Sequence, residues 1–165
     1  MTIRTVYDTV IKTATFTAFS IMLLAALAGT MARYLPFMPT IAWGEEVTRY
    51  AGIWSVFLVA GLGIRSGTHL GVDLFTRKLP PRARQANFIV VYSLMMGFAV
   101  LLLRYGIQIV IENTGQYSAA LEWPMAWIYF CVPLGAALMI VEIVPILYRL
   151  SKGQVPSHPT GEAAP

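Results

Sequence analysis

The side chains able to do chemistry in this chain are few, and most are charged groups set inside or beside apolar runs. Glu45, Glu46, Arg49 and Tyr50 open the stretch EEVTRYAGIWSVFLVAGLGIRSGTHLGVD (residues 45–73), and Arg65, Gly67, His69 and Asp73 close it. Arg104 and Glu142 stand alone in two later apolar runs, and Cys131 is the single cysteine. On a helix, Glu45 lies at i,i+4 and Glu46 at i,i+3 from Arg49, the spacing of an ion pair, with both carboxylates at the N-terminal end that the helix dipole favours. The same three charges would equally mark a solvated helix start. His69 and His158 both fall outside the apolar runs, so no imidazole is placed to hold a haem there. Cys131 can form no internal disulfide and reads as a buried thiol. No Ser/His/Asp set, metal-ligand cluster, HExxH or phosphate-cradling glycine loop occurs. The expectation is a transport, scaffold or assembly component without a cofactor, and not an enzyme.

Membrane helices must position these groups. Of 165 residues, 57% are hydrophobic and 12% charged. With a mean hydropathy of +0.65, the chain holds more apolar side chain than one water-soluble core could bury. Uncharged stretches run over 13–32, 50–64, 85–103 and 123–141. Three of them reach the roughly 20 residues that a helix needs to span about 30 Å of hydrocarbon. The stretch 50–64 is too short, so its helix must begin at Glu45 and end at Arg65, which carries Arg49 about one turn below the surface. The expected fold is an all-α integral membrane protein with four transmembrane helices at about 13–32, 45–65, 85–111 and 124–149. They form a membrane domain over 1–150, and the tail 151–165, rich in Pro, Ser and Gly, is expected to be disordered. Around the second helix, Glu45, Arg49, Gly52, Val56 and Gly63 share one face, expected to pack on protein. Trp54, Leu58, Gly61 and Arg65 share the opposite face, expected to meet lipid or another subunit.

Basic residues set the orientation. Arg4, Lys12, Arg65, Arg77, Lys78, Arg82, Arg84, Arg149 and Lys152 fall on the side of the termini, against Arg33, Arg49 and Arg104 on the other. That bias places both termini and the 65–85 loop inside. It also accounts for the net charge of +4 without nucleic acid. The run ending in AALAGTMA has the flavour of a signal-peptide cleavage site, but at about 20 residues it exceeds a signal h-region and is expected to remain as an anchor. Leu70, Leu74, Phe75 and Leu79 lie on one face of a helix, with Asp73, Arg77 and Lys78 largely on the other. This predicts a short amphipathic helix on the inner leaflet, its basic face near anionic membrane lipid, stopped by Pro80–Pro81. Arg104 and Glu142 are intramembrane charges and hence functional candidates. Their structural alternative is pairing: Glu142 with Lys12, and Arg104 with Glu45 or Glu46.

The pattern Trp-x-Glu-Glu with a following Arg-Tyr in WGEEVTRYAGIW (43–54), then Arg-x-Gly-x-His-x-x-Val-Asp and Leu-Pro-Pro in GIRSGTHLGVDLFTRKLPPRAR (63–84), resembles the small membrane subunit of TRAP transporters, the DctQ-like small permease family. The resemblance implies one part of a tripartite secondary transporter in the bacterial cytoplasmic (inner) membrane that imports an organic acid. Its implied partners are a large multi-span permease (DctM-like), where sodium coupling is expected, and a periplasmic substrate-binding protein (DctP-like). The small subunit would scaffold the large one and help form the docking surface for the binding protein. Glu45, Glu46, Arg49 and Tyr50 match one half of the motif, with Trp54 ending it, and Arg65, Gly67, His69 and Asp73 match the other. The spacing adds that Arg65, His69 and Asp73 follow one another at i,i+4, while Gly67 and Gly71 favour a bend there. Read without the family pattern, His69 sits at a wet interface. The alternative function is a membrane-anchoring or assembly factor without a transport partner. The substrate is left open.

Overall fold

The structure, a computed structural model, describes residues 3–35, 42–65 and 81–153. Five helices are built from them: α1 (Ile3–Tyr34), α2 (Ala42–Arg65), α3 (Pro81–Glu112), the short α4 (Met125–Tyr129) and α5 (Cys131–Ser151). Four segments are long and apolar enough to cross a membrane: Arg4–Tyr34, Ala42–Ile64, Gln85–Glu112, and Met125–Ser151, which joins α4 to α5. The amphipathic helix expected around residues 70–79, the linker 36–41 and the tail from 154 onward lie outside the described residues.

α1 is longer than its uncharged stretch, because the helix takes in Arg4, Asp8 and Lys12. Its threonines do not interrupt it. Thr9, Thr17 and Thr30 donate their hydroxyls to the carbonyls of Thr5, Thr13 and Ala26, each at 2.8 Å, so these three hydroxyls need no water. Its better-covered residues include Ile11, Thr15, Ala18, Met22, Ala25, Gly29 and Ala32, in alternating steps of four and three. That is the seam of a left-handed coiled coil, and it lies against α2, where a Cβ on Gly52 would stand 3.1 Å from the Met22 sulfur.

The other side of α2 packs on α5. Lipid tails are as apolar as leucine, so helices in a membrane associate by close contact, and small residues permit it. A Cβ on Gly135 would come within 2.8 Å of the Phe57 carbonyl oxygen, and one on Gly61 within 3.2 Å of the Leu138 backbone. α3 reaches α5 in the same way: a Cβ on Gly106 would stand 3.0 Å from the Pro133 nitrogen. Pro133 itself is tolerated because it falls in the first turn of α5, where a missing N–H costs little. Further along, Ile64, Phe88, Tyr92, Ala99, Ile143 and Leu150 form the buried core of α2, α3 and α5. The Gln85 amide donates to the Leu150 carbonyl at 3.0 Å and ties the start of α3 to the end of α5.

The principal contacts therefore run α1–α2–α5–α3, an open row with α2 and α5 in the middle. α1 shows the consequence, with 11% of its spanning window buried against 33% for the segment that contains α5. One expectation is corrected here. Gly61 does not face lipid or another subunit, because the row sandwiches α2 between two helices and Gly61 is on the α5 side. Trp54 is half-buried and lines an open apolar cleft of about 1270 Å³ between α1 and the segment 121–134.

A Gly135→Ala change should lower the detergent-solubilised melting temperature, because its Cβ meets backbone that cannot give way, at a cost of roughly 1–3 kcal/mol. Gly97→Ala, with nothing within 4 Å, should leave melting unchanged or raise it. Equal melting of the two variants would contradict the packing.

Candidate functional site

The first turns of α2, beneath the α3–α4 loop, carry most of the described motif residues. Residues 116–125 form a tight closed loop. The Ser118 N–H donates to the Trp123 carbonyl at 2.9 Å, the Met125 N–H to the Gln116 carbonyl at 2.9 Å, and Tyr117 and Pro124 pair as an isolated bridge. Inside it, the Glu122 N–H donates to the Ser118 carbonyl at 3.2 Å and the Trp123 N–H to the Ser118 hydroxyl at 3.2 Å. Closing the loop puts Glu122 at φ 53°, a left-handed conformation disfavoured for any residue with a Cβ.

Glu46 stabilises this loop. It projects from the first turns of α2 and is 7% exposed, and its carboxylate accepts the N–H groups of Ala120 at 3.1 Å and Leu121 at 3.2 Å. Two backbone donors at a turn apex that would otherwise lack partners are thus held by one negative group in charge-assisted bonds. One turn on, Tyr50 is also buried and donates its hydroxyl to the Met125 sulfur at 3.8 Å. Glu46 and Tyr50, at i,i+4, therefore grip the loop and the start of α4 from one face of α2.

Glu45 and Arg49 point elsewhere. Glu45 pairs with Arg33 of α1, both side chains largely exposed. Arg49 makes no ion pair among the described residues; its guanidinium lies over the Tyr50 ring, 5.3 Å from the centroid. The expected Glu45–Arg49 pair is thus replaced by Glu45–Arg33. The reason is the hairpin: α1 ends where α2 begins, which sets Arg33 across from Glu45, while the aromatic ring beside Arg49 offers a cation–π contact. A spacing rule within one helix cannot see the residue across the turn.

The lone charges also resolve. Glu142 is 4% exposed within α5, and it does not meet Lys12, which is exposed on α1 and separated from α5 by α2. Arg104 is exposed on α3 and meets neither Glu45 nor Glu46, which have their own partners. Cys131 is buried and free. Gly67, His69 and Asp73 lie outside the described residues, and of Arg65 only the backbone, as the last residue of α2, is described. Among the described residues no three His, Cys, Asp or Glu side chains come together as a metal site. The sequence did not single out Arg33 or the turn 118–121. Arg33 was visible only as a loop charge, and the partner of Glu46 lies 74 residues away.

Four segments among the described residues that are long and apolar enough to cross a membrane define the class, a multi-pass membrane protein. Residues 21–153 match the family of tripartite ATP-independent periplasmic transporters, DctQ component, and the chain belongs to that family, a transport component and not an enzyme. It is 25% identical over 126 residues to the C4-dicarboxylate TRAP transporter small permease protein DctQ of Rhodobacter capsulatus, covering 73% of this chain and 55% of that protein. With the DctQ protein of the same description from Vibrio cholerae it shares 24% identity, over 87% of this chain and 72% of the relative. The isethionate TRAP transporter permease protein DctMQ of Oleidesulfovibrio alaskensis is 26% identical over 104 residues, 62% of this chain and 16% of the relative. The chain thus spans about half the length of the Rhodobacter relative.

Removing the Glu46 charge should free the turn. In Glu46→Gln, hydrogen exchange at the Ala120 and Leu121 amides should accelerate by about tenfold or more, since a charged acceptor is lost. Glu45→Ala should change exchange there little, because exposed ion pairs contribute less than about 1 kcal/mol.

Proposed function

We propose that this chain is the small permease subunit that braces a large multi-span permease of the TRAP type, and that the assembly imports an organic acid across the bacterial cytoplasmic membrane. The carrying observation is the match to the DctQ component over residues 21–153. The open helix row supports a bracing role, since it leaves broad apolar faces of α1 and α3 that the rest of the described chain does not cover. The DctMQ relative adds to this: its name joins M and Q, and this chain matches only 16% of it, as expected if a small-subunit segment is fused to a large one. Two relatives are named for C4-dicarboxylates and one for isethionate, so the substrate we infer is a small organic anion.

In this reading both termini and the 65–85 loop face the cytoplasm, as the distribution of Lys and Arg favours. The loop 116–125 then faces the periplasm. Held by Glu46 and presenting exposed Tyr117 and Trp123, it is the part of this chain suited to meet a periplasmic substrate-binding protein. Arg65, Gly67, His69 and Asp73 would shape the turn at the inner end of α2. Sodium coupling is assigned to the large subunit. The alternative, an anchor with no transport partner, is disfavoured by the joined relative.

Purification of the tagged chain from its native membrane in mild detergent should recover a many-span permease, identified by mass spectrometry. Absence of any permease under several detergents would overturn this function.

A further inference from the structure

Arg104 is a charge whose depth can be read from its neighbours. Gly106 abuts Pro133 of α5. Arg104 stands two residues before it on the antiparallel α3, about 3 Å further from the loop end, and so level with Gly135. Gly135 in turn abuts Phe57 of α2. Phe57 is fifteen residues from Ala42, Gly135 ten from Met125 and Arg104 itself eight from Glu112, which places this level about 12–22 Å below the loop ends of three spanning segments. In a hydrocarbon layer of about 30 Å that is near the middle.

At that depth Arg104 is exposed on the surface of α3, and no acidic side chain pairs with it among the described residues. Toward the loop its own stripe carries exposed Gln108, whose amide donates to the Glu112 carboxylate at 2.7 Å, so Glu112 is already engaged one turn beyond. Around that stripe Tyr105, Ile107, Ile109 and Ile111 are exposed and apolar, and on the other side so are Val100 and Leu101. Raising α3 until the guanidinium reached the surface would put those isoleucines in water. An uncovered arginine at this level is costly, and intramembrane charges are almost always paired or face protein.

We propose that the face of α3 carrying Gly97, Leu101, Arg104 and Gln108 is covered in the membrane by a helix of the large permease, which presents a carboxylate to Arg104. The inference rests on the function proposed above. The four residues recur in steps of four, three and four, one continuous face, and Gly97 has nothing within 4 Å, so another helix can come close there. Charge complementarity chooses the occupant. Lipid phosphates lie at the surface, about 12 Å or more away. A second copy of this chain has no suitable group among its described residues: Glu45, Glu112 and Glu122 are exposed only at the loop end, Asp8 lies near the opposite end, and Glu46 and Glu142 are buried.

The test places a photoreactive phenylalanine analogue at Leu101 and, separately, makes Arg104→Leu and Arg104→Lys, all in the chain co-expressed with its permease. The Leu101 probe should give an adduct that peptide mass spectrometry assigns to a permease helix. Arg104→Leu should lower permease recovery about tenfold by leaving the partner carboxylate buried and unpaired. Arg104→Lys should keep most of the recovery, and neutralising the right permease carboxylate should restore it in Arg104→Leu. Arg104→Leu suits a lipid-facing site, so it should express and fold normally, which circular dichroism checks. Full recovery with Arg104→Leu, or adducts only to lipid or to a second copy, would overturn the inference. Failure of the unmodified chain to recover any permease would instead overturn the function on which it rests.

Discussion

The close approach of α2 and α5 is the constraint on which the rest of this structure depends. Where Gly135 meets Phe57 and Gly61 meets Leu138, the two backbones come together with no room for a side chain between them. Dispersion over such a contact is what holds helices together in a medium that offers no hydrophobic gain for association. Its geometric consequence reaches the loop end. Once α5 is fixed parallel to α2, the loop that precedes α4 must lie over the first turns of α2. Glu46 can then take the Ala120 and Leu121 amides, and Tyr50 the Met125 sulfur. α1 and α3 are hung on this pair, one on each side.

Part of this was legible in the sequence, for identifiable reasons. Helix number and type follow from apolar run length, and the second helix had to include Arg49 because residues 50–64 alone are too short. Glu46 and Tyr50 were singled out, but not what they hold, since their contacts lie 74 and 75 residues away on a loop with no regular period. The Glu45–Arg49 pair failed on a competing partner: the α1–α2 hairpin supplies Arg33, which is closer in space than any spacing rule on α2 suggests. A helical wheel gives faces without neighbours, so it cannot place Gly61 against α5. Glycine spacing on one helix shows that something comes close, and only the partner helix shows what.

An open row of helices is an unusual end state for a chain that works alone, and a sensible one for a subunit. A closed bundle would satisfy its own small-residue faces. Here the outer surface of α3 keeps an exposed arginine within an apolar helix, and α1 lies against α2 while an apolar cleft remains between it and the loop. Both features leave interaction energy unspent within the chain. Membership of the DctQ family gives that surplus a use, in the bracing role proposed for it.

The most direct measurement is uptake into proteoliposomes of a radiolabelled organic acid that the cognate binding protein captures, with permease and binding protein reconstituted with and without this chain under an imposed sodium gradient. The account predicts uptake when all three are present and a fall to near background when this chain is left out. Full uptake by the permease and binding protein alone would contradict it.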